Sequence, residues 1–189
     1  MTLADKVYEG IQSDILMGRY GMNEFLVEAE IAKKYGVSKG TAGEALHRLC
    51  LEGQLVSYPR KGYLLALVTE KEFAKLMRLR IVLEKLAADI LIKEKTQEER
   101  QQLAEELSPG EIPTNMQFHM KLCEATGDKF LASAIYCTLS ALARSERYVT
   151  ASRGQKGIQY HGEILEAIVE GDYERAASYI EKDARGQKE

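Results

Sequence analysis

Apolar residues recur at helical spacing along most of the chain. Near the N-terminus Val7, Ile11, Ile15 and Leu16 share one face, and Gly18-Arg19-Tyr20-Gly21 closes that element. Ala29 to Tyr35 is a short helix with Ile31, Ala32 and Tyr35 together. Gly36 stands just past its last periodic residue, where a helix end favours glycine. Val37 is the apolar residue of the turn, and Ser38 is placed to N-cap a second helix from about Lys39 to Glu52. Its buried stripe is Ala42, Ala45, Leu46 and Leu49, and Gly53 stops it. Two short strands, Gln54–Ser57 and Tyr63–Leu67, then flank a turn carrying Pro59, Arg60, Lys61 and Gly62.

The chain crosses into a second region at about Ala66 to Glu72, beyond which helical periodicity dominates. A long helix is expected from about Glu70 to Lys95. Phe73, Leu76, Met77, Leu79, Ile81, Val82, Leu83, Leu86, Ala87, Ile90 and Leu91 make its broad apolar face. Thr96 caps a shorter helix, Gln97 to Leu107, with a Glu two residues further in. Ser108-Pro109-Gly110 and Pro113 break the pattern. Helices follow over about 114–126, 129–148, 157–170 and 172–186, the second apolar on several sides and so expected to be central. The polar loop 152–157 is the expected mobile segment. The fold class is mostly α. Residues 1–68 are expected to form a winged helix-turn-helix with a small β-hairpin wing, and 69–189 an antiparallel all-α bundle.

Composition is that of an ordinary soluble chain, 45% hydrophobic and 29% charged over 189 residues. No run approaches the ~20 apolar residues of a membrane span, and the N-terminus lacks the apolar core of a signal peptide. Cys50, Cys123 and Cys137 are odd in number and far apart. They are expected as reduced, mostly buried thiols in a cytoplasmic protein. The net charge of −3 changes the picture only through its distribution. Lys33, Lys34, Lys39, Arg48, Arg60 and Lys61 face only Glu44 and Glu52 within 33–61, leaving +4 over 29 residues. A basic segment of this kind beside an acidic remainder is compatible with DNA binding.

These residues carry a specific resemblance. Glu-Ile-Ala at 30–32, Tyr-Gly-Val-Ser at 35–38, Glu-Ala-Leu at 44–46, Arg48-Leu49, Glu52-Gly53 and Arg60-Lys61-Gly62 resemble the DNA-binding domain of the GntR family of bacterial transcriptional regulators. The second region resembles the all-helical ligand-sensing domain of that family's FadR branch. The matching residues are Arg80-x-x-Leu83-Glu84-x-x-Ala87, Phe118-His119, Arg147 and the closing run from His161 through Ile164-Leu165 to Gly171-Asp172. The region is shorter than is usual there, around Leu107–Pro113. The resemblance implies DNA contacts from Lys39, Thr41, His47 and Arg48 on the recognition helix and from Arg60, Lys61 and Gly62 at the wing. Gly43 and Ala29 stand where the family has DNA-facing arginines. An arginine–guanine pair contributes ~1–3 kcal/mol of discrimination, so the family's operators are not expected to carry over. Gly40 and Gly43 each also weaken the helix by about 1 kcal/mol.

Asn115 and His119 are one helical turn apart and project from one face. The resemblance places them with His161 and Asp183 at one spot in the bundle, where the family usually has an Asp and three His around a divalent metal. The N2O2 set present here suits Zn, Ni or Mn. Arg80 and Arg147 match the family's effector arginines for a small organic acid, although Arg78 and Arg144 lie close by in sequence. The expectation is a bacterial regulator, a repressor, binding a palindromic operator as a homodimer. A winged-helix protein-interaction module that no longer reads DNA, and a small metalloenzyme using His119 and His161, are the alternatives.

Overall fold

The computed structural model describes residues 1–108, 115–149 and 160–186, without the side chains of Leu16 and of residues 147–149. Compactness divides the chain at Thr69–Glu70 and adds the part of the seventh helix from Ser140 onward to the first unit.

The first unit holds α1 (Leu3–Leu16), α2 (Glu28–Tyr35), α3 (Lys39–Leu51), β1 (Leu55–Tyr58) and β2 (Gly62–Leu65). Thr2 begins α1 with a capping box to Asp5. Ser38 Oγ accepts from Thr41 N to begin α3. Gly36 ends α2 in the left-handed conformation, which glycine adopts without a Cβ penalty. Ile11, Leu26, Leu46 and Leu49 are fully buried in a core shared by the three helices and the hairpin. The strands pair antiparallel with Leu55 opposite Leu65, one residue later at the start of β1 than the turn chemistry suggests. Gln54 is instead buried beside α3, its backbone N–H donating to Leu49 O. An isolated bridge joins Leu26 to Tyr63. From α7 (Lys129–Val149), Arg144 Nη2 donates to Gly53 O at 3.3 Å, and Ser145 Oγ accepts from Val68 N at 3.0 Å.

The second unit holds α4 (Glu70–Glu94), α5 (Gln97–Glu106), α6 (Asn115–Glu124), the first part of α7 (Lys129–Val149), α8 (His161–Glu170) and α9 (Tyr173–Arg185). Leu91, Phe118, Leu122, Ile164, Ile168 and Ile180 form its core. Thr96 caps α5 as expected, but in a capping box with Glu99 at the third position rather than with the nearer Glu98. Helix α8 starts at His161. Tyr160 is not helical, and residues 157–159 of the expected helix lie outside the described residues, as do the loop 152–157 and Pro109, Gly110 and Pro113. Gly171 and Asp172 make the turn into α9, with Asp172 as its N-cap.

Two expectations need correction. The buried stripe of α4 is Arg80, Glu84, Ala87, Ala88 and Leu91, while Leu79, Val82 and Leu86 are exposed. Period alone counts apolar residues, whereas burial follows what faces them, and here an ion pair is turned inward. Of the three thiols only Cys123 is buried, Cys50 being intermediate and Cys137 exposed, and all three are free.

Candidate functional site

In the first unit the recognition-helix residues are set by the packing of α3 on α1 and α2. Lys39 and His47 are exposed, and Thr41 is half-buried with its Oγ1 2.9 Å from Ser38 Oγ. Arg48 turns toward α1. Its Nη1 lies 3.2 Å from Asp5 Oδ1, its Nε 3.3 Å from Glu52 Oε1, and its guanidinium 3.9 Å over the Tyr8 ring. Lys34, though exposed, likewise reaches α1, donating to buried Asp14 at 2.6 Å. Two of the six cations behind the basic stretch are thus paired with α1 acids that lie outside it. All six are nevertheless exposed, Lys33, Lys39, Arg60 and Lys61 around α3 and the wing among them. Arg60 sits at φ +64 in the wing turn. Gly62 has φ +116, and a Cβ there would stand 2.6 Å from Leu26 O, so glycine is needed for the hairpin to reach Leu26. Gly43 faces Glu28, whose Oε1 would be 3.2 Å from an added Cβ.

In the second unit Asn115, His119, His161 and Asp183 come together, joined by Arg80 and Glu84 of α4. Arg80 and Glu84 are one turn apart on the buried stripe, and Arg80 Nε donates to Glu84 Oε1 at 2.7 Å. Arg80 Nη2 reaches Asp183 Oδ2 at 2.6 Å and His119 Nε2 at 2.6 Å. His119 Nδ1 faces Glu84 Oε2 at 3.2 Å, and that oxygen makes no directed hydrogen bond among the described residues. Asn115 Oδ1 lies 2.8 Å from His161 Nε2 and 3.1 Å from His119 Nε2. The His161 ring stacks on Phe118 at 3.8 Å, and the two imidazoles are 5.0 Å apart. Asp183 Oδ1 accepts from Tyr160 N at 3.0 Å, which ties α9 to the residue just before α8. Arg80 is 6% exposed whereas Arg78 is on the surface, which separates the two arginines that sequence left together. Arg147 is in α7, but its side chain lies outside the described residues.

The electrostatics follow from burial and partners. Burial alone would raise Glu84 and Asp183, but the His119 and Arg80 charges and their hydrogen bonds hold both carboxyls below the usual range. Burial disfavours a charged His119, and Glu84 beside it outweighs that with help from Asp183, so its pKa lies above the ordinary value against the opposing Arg80. Arg80 Nη2 lies 2.6 Å from His119 Nε2 and 3.2 Å from its Nδ1, so the guanidinium rests against the ring rather than in line with one nitrogen's lone pair. His161 is pushed down to about 4 by burial and then by the neighbouring His119 charge.

His119, His161 and Asp183 offer ligand-type atoms within 4.8 Å of one another, a grouping of suitable identity for a divalent ion. Yet two of those atoms, His119 Nε2 and Asp183 Oδ2, already meet the Arg80 guanidinium, and His161 Nε2 meets Asn115. With Arg80 so placed, the residues do not fit an ion as well. Glu84 is the participant that sequence reasoning did not single out as a site residue. Its place one turn from Arg80, in line with Ala87, Ala88 and Leu91, was the available clue.

The profile of the bacterial regulatory proteins of the gntR family matches residues 3–65, and that of the FCD domain matches residues 75–183. An HTH-type transcriptional regulator of Bacillus subtilis (strain 168), YdhC, is 25% identical over 187 residues, covering 92% of this chain and 84% of its own length. Among solved structures, E. coli McbR/YncC superposes with a TM-score of 0.74 at 19% identity, over 98% of this chain and 94% of its own. A GntR transcriptional regulator from Rhodococcus sp. RHA1 gives 0.71 at 16% identity, over 96% and 93%. The structural likenesses speak to fold, and the matched families to the class of activity, which is regulation of transcription and not enzymatic catalysis. The chain belongs to the GntR family of bacterial regulatory proteins, with a winged helix-turn-helix followed by an FCD ligand-sensing domain.

Proposed function

We propose that this regulator is a cytoplasmic repressor that binds a palindromic operator as a homodimer, with residues 1–68 reading DNA and 69–189 sensing a small carboxylate-bearing effector. The observation that carries the sensing half is the buried Arg80 between Glu84 and Asp183, beside two imidazoles in a helical bundle. A buried guanidinium is a natural partner for a carboxylate, which it receives through two parallel hydrogen bonds. An effector carboxylate would compete with Asp183 for Arg80. Because Asp183 also holds Tyr160 N, such competition would loosen the start of α8. Arg147 is proposed as a second effector contact on the family resemblance. The change would reach the DNA-binding half through the connection Ala66–Glu72 and through α7, which belongs in part to each unit.

On the DNA side, Lys39, Thr41 and His47 are the proposed recognition-helix contacts, with Arg60 and Lys61 reaching phosphate from a wing whose shape Gly62 permits. The homodimer is supported by the exposed stripe Leu79, Val82 and Leu86 along α4, spaced to lie on one face. A metal-loaded site, with Zn, Ni or Mn on Asn115, His119, His161 and Asp183, is the second reading. It is favoured by the grouping of the latter three and requires Arg80 to move away.

Fluorescence anisotropy with duplex DNA from the chain's own promoter region tests the proposal. Affinity should fall steeply as salt rises, through counterion release, and Lys39→Glu should weaken it at least tenfold, about 1.4 kcal/mol. At least one member of a panel of small mono-, di- and tricarboxylates should lower operator affinity, and Arg80→Gln should abolish that response. Binding that ignores both salt and Lys39→Glu would leave the protein-interaction reading in possession.

A further inference from the structure

The cluster in the second unit poses a question of charge. Glu84 and Asp183 are both buried, and the group between them is a guanidinium. We propose that Arg80 is the resident cation of this site, standing where a divalent ion would otherwise sit, so that the site receives an anionic group without a metal. The inference rests on reading this cluster as the effector site.

Geometry carries it first. Arg80 Nη2 lies 2.6 Å from both His119 Nε2 and Asp183 Oδ2, two of the four atoms an ion would need. An ion bonded to those same two atoms at ~2.0–2.2 Å from the guanidinium's side would overlap its nitrogen. Hydrogen bonding carries it second. His161 Nε2 is 2.8 Å from Asn115 Oδ1, and an amide oxygen accepts only, so with this amide orientation the imidazole nitrogen carries the proton and has no lone pair for a metal. Arg80 is itself held on its own helix by Glu84, so its position does not depend on Asp183 alone.

The consequence differs from that of a metal site. Arginine keeps its proton at any ordinary pH, whereas histidine ligands lose a metal on acidification. The anion-receiving charge here would therefore be present without metal supply and insensitive to chelators.

The test uses the full chain, stripped with chelator, incubated with ZnCl2, NiCl2 or MnCl2, freed of excess by gel filtration and assayed for metal by mass spectrometry. Thermal midpoints are recorded with and without each ion, since an ion that binds the native state raises the midpoint. The wild type should retain no more zinc, nickel or manganese than the His119→Ala chain, with no rise in midpoint relative to it. Arg80→Ala and Arg80→Met should free His119 Nε2 and Asp183 Oδ2 and take up about one zinc per chain, which adding His119→Ala removes. A wild type holding close to one ion per chain that His119→Ala abolishes would overturn the proposal. So would folded Arg80 variants that take up no more metal than the wild type. If neither Arg80 variant folds, the comparison of wild type with His119→Ala decides by itself. Failure of the effector reading would show separately, as operator binding indifferent to every carboxylate whatever the metal result.

Discussion

Asp14 illustrates what a single buried charge contributes here. It lies on α1 and accepts from Arg19 Nη1 at 2.7 Å, Lys34 Nζ at 2.6 Å and Tyr35 OH at 2.9 Å, so one carboxylate fastens α2 to α1. Burial alone would raise its pKa, but the hydrogen bonds from Lys34 and Tyr35 and the charges of Lys34 and Arg19 outweigh that and lower it. A depressed carboxyl adds stability that is present above its unfolded value near ~3.9 and is lost as pH falls through the lower folded value. Lys34 is 45% exposed, which screens its share. Asp14→Asn is therefore expected to lower stability by ~1–3 kcal/mol at neutral pH, the deficit shrinking below pH ~4. Urea unfolding of both chains at pH 7 and pH 3 measures it. An equal deficit at both would mean that packing, not charge, is what Asp14 supplies.

For α3 and its wing, local strain and local freedom lie within a few residues of each other. A Cβ at Gly40 would meet only Ser38 Oγ at 3.8 Å, so Gly40→Ala should stabilise the first unit by up to ~1 kcal/mol through helix propensity. Gly62→Ala has the opposite sign. It forces a side chain to φ +116 and against Leu26 O at 2.6 Å, and should cost about 1–3 kcal/mol. Denaturant midpoints of the two variants check both signs, and a stable Gly62→Ala would mean that the bridge from Leu26 to Tyr63 is dispensable. Arg48 belongs with these, because its partners are Asp5, Glu52 and Tyr8. Arg48→Ala is expected to lower the thermal midpoint while changing DNA affinity less than Lys39→Glu does. The reverse ranking would make DNA contact the main role of Arg48.

At the level of the whole molecule the open question is what covers α4. Leu79, Val82 and Leu86 recur at intervals of three and four, and Val82 is 61% exposed. Their unburied stripe sits on the helix whose opposite side carries Arg80 and Glu84, so a partner copy packed there would lean on the cluster around Arg80 through one helix. Sedimentation equilibrium should give a mass near twice 21.2 kDa. Val82→Glu, which places a charge in an apolar seam without touching the monomer core, should shift the protein toward monomer. A variant as dimeric as the wild type would put the interface elsewhere. No described helix is long and apolar enough to cross a membrane, so the stripe is not explained that way.

Caps, breakers and periods act within three or four residues of their cause, and sequence alone therefore determined most elements to within a residue or two. Thr2, Ser38, Thr96 and Asp172 begin helices, and Gly36, Gly171 and Gly186 end them left-handed. The gathering of Asn115, His119, His161 and Asp183 came from resemblance, since no local rule joins positions on three helices. Sequence could not decide which charges look inward, because pairing is settled by residues far away along the chain. The +4 of residues 33–61 gave no hint that Lys34 would answer Asp14 and Arg48 would answer Asp5. The apolar count on α4 favoured Leu79 and Val82 as buried, yet the bundle turns Arg80 and Glu84 inward, because His119 and Asp183 meet them there. An ion pair becomes core only when its partners arrive from other helices, and that arrival is a property of the tertiary fold.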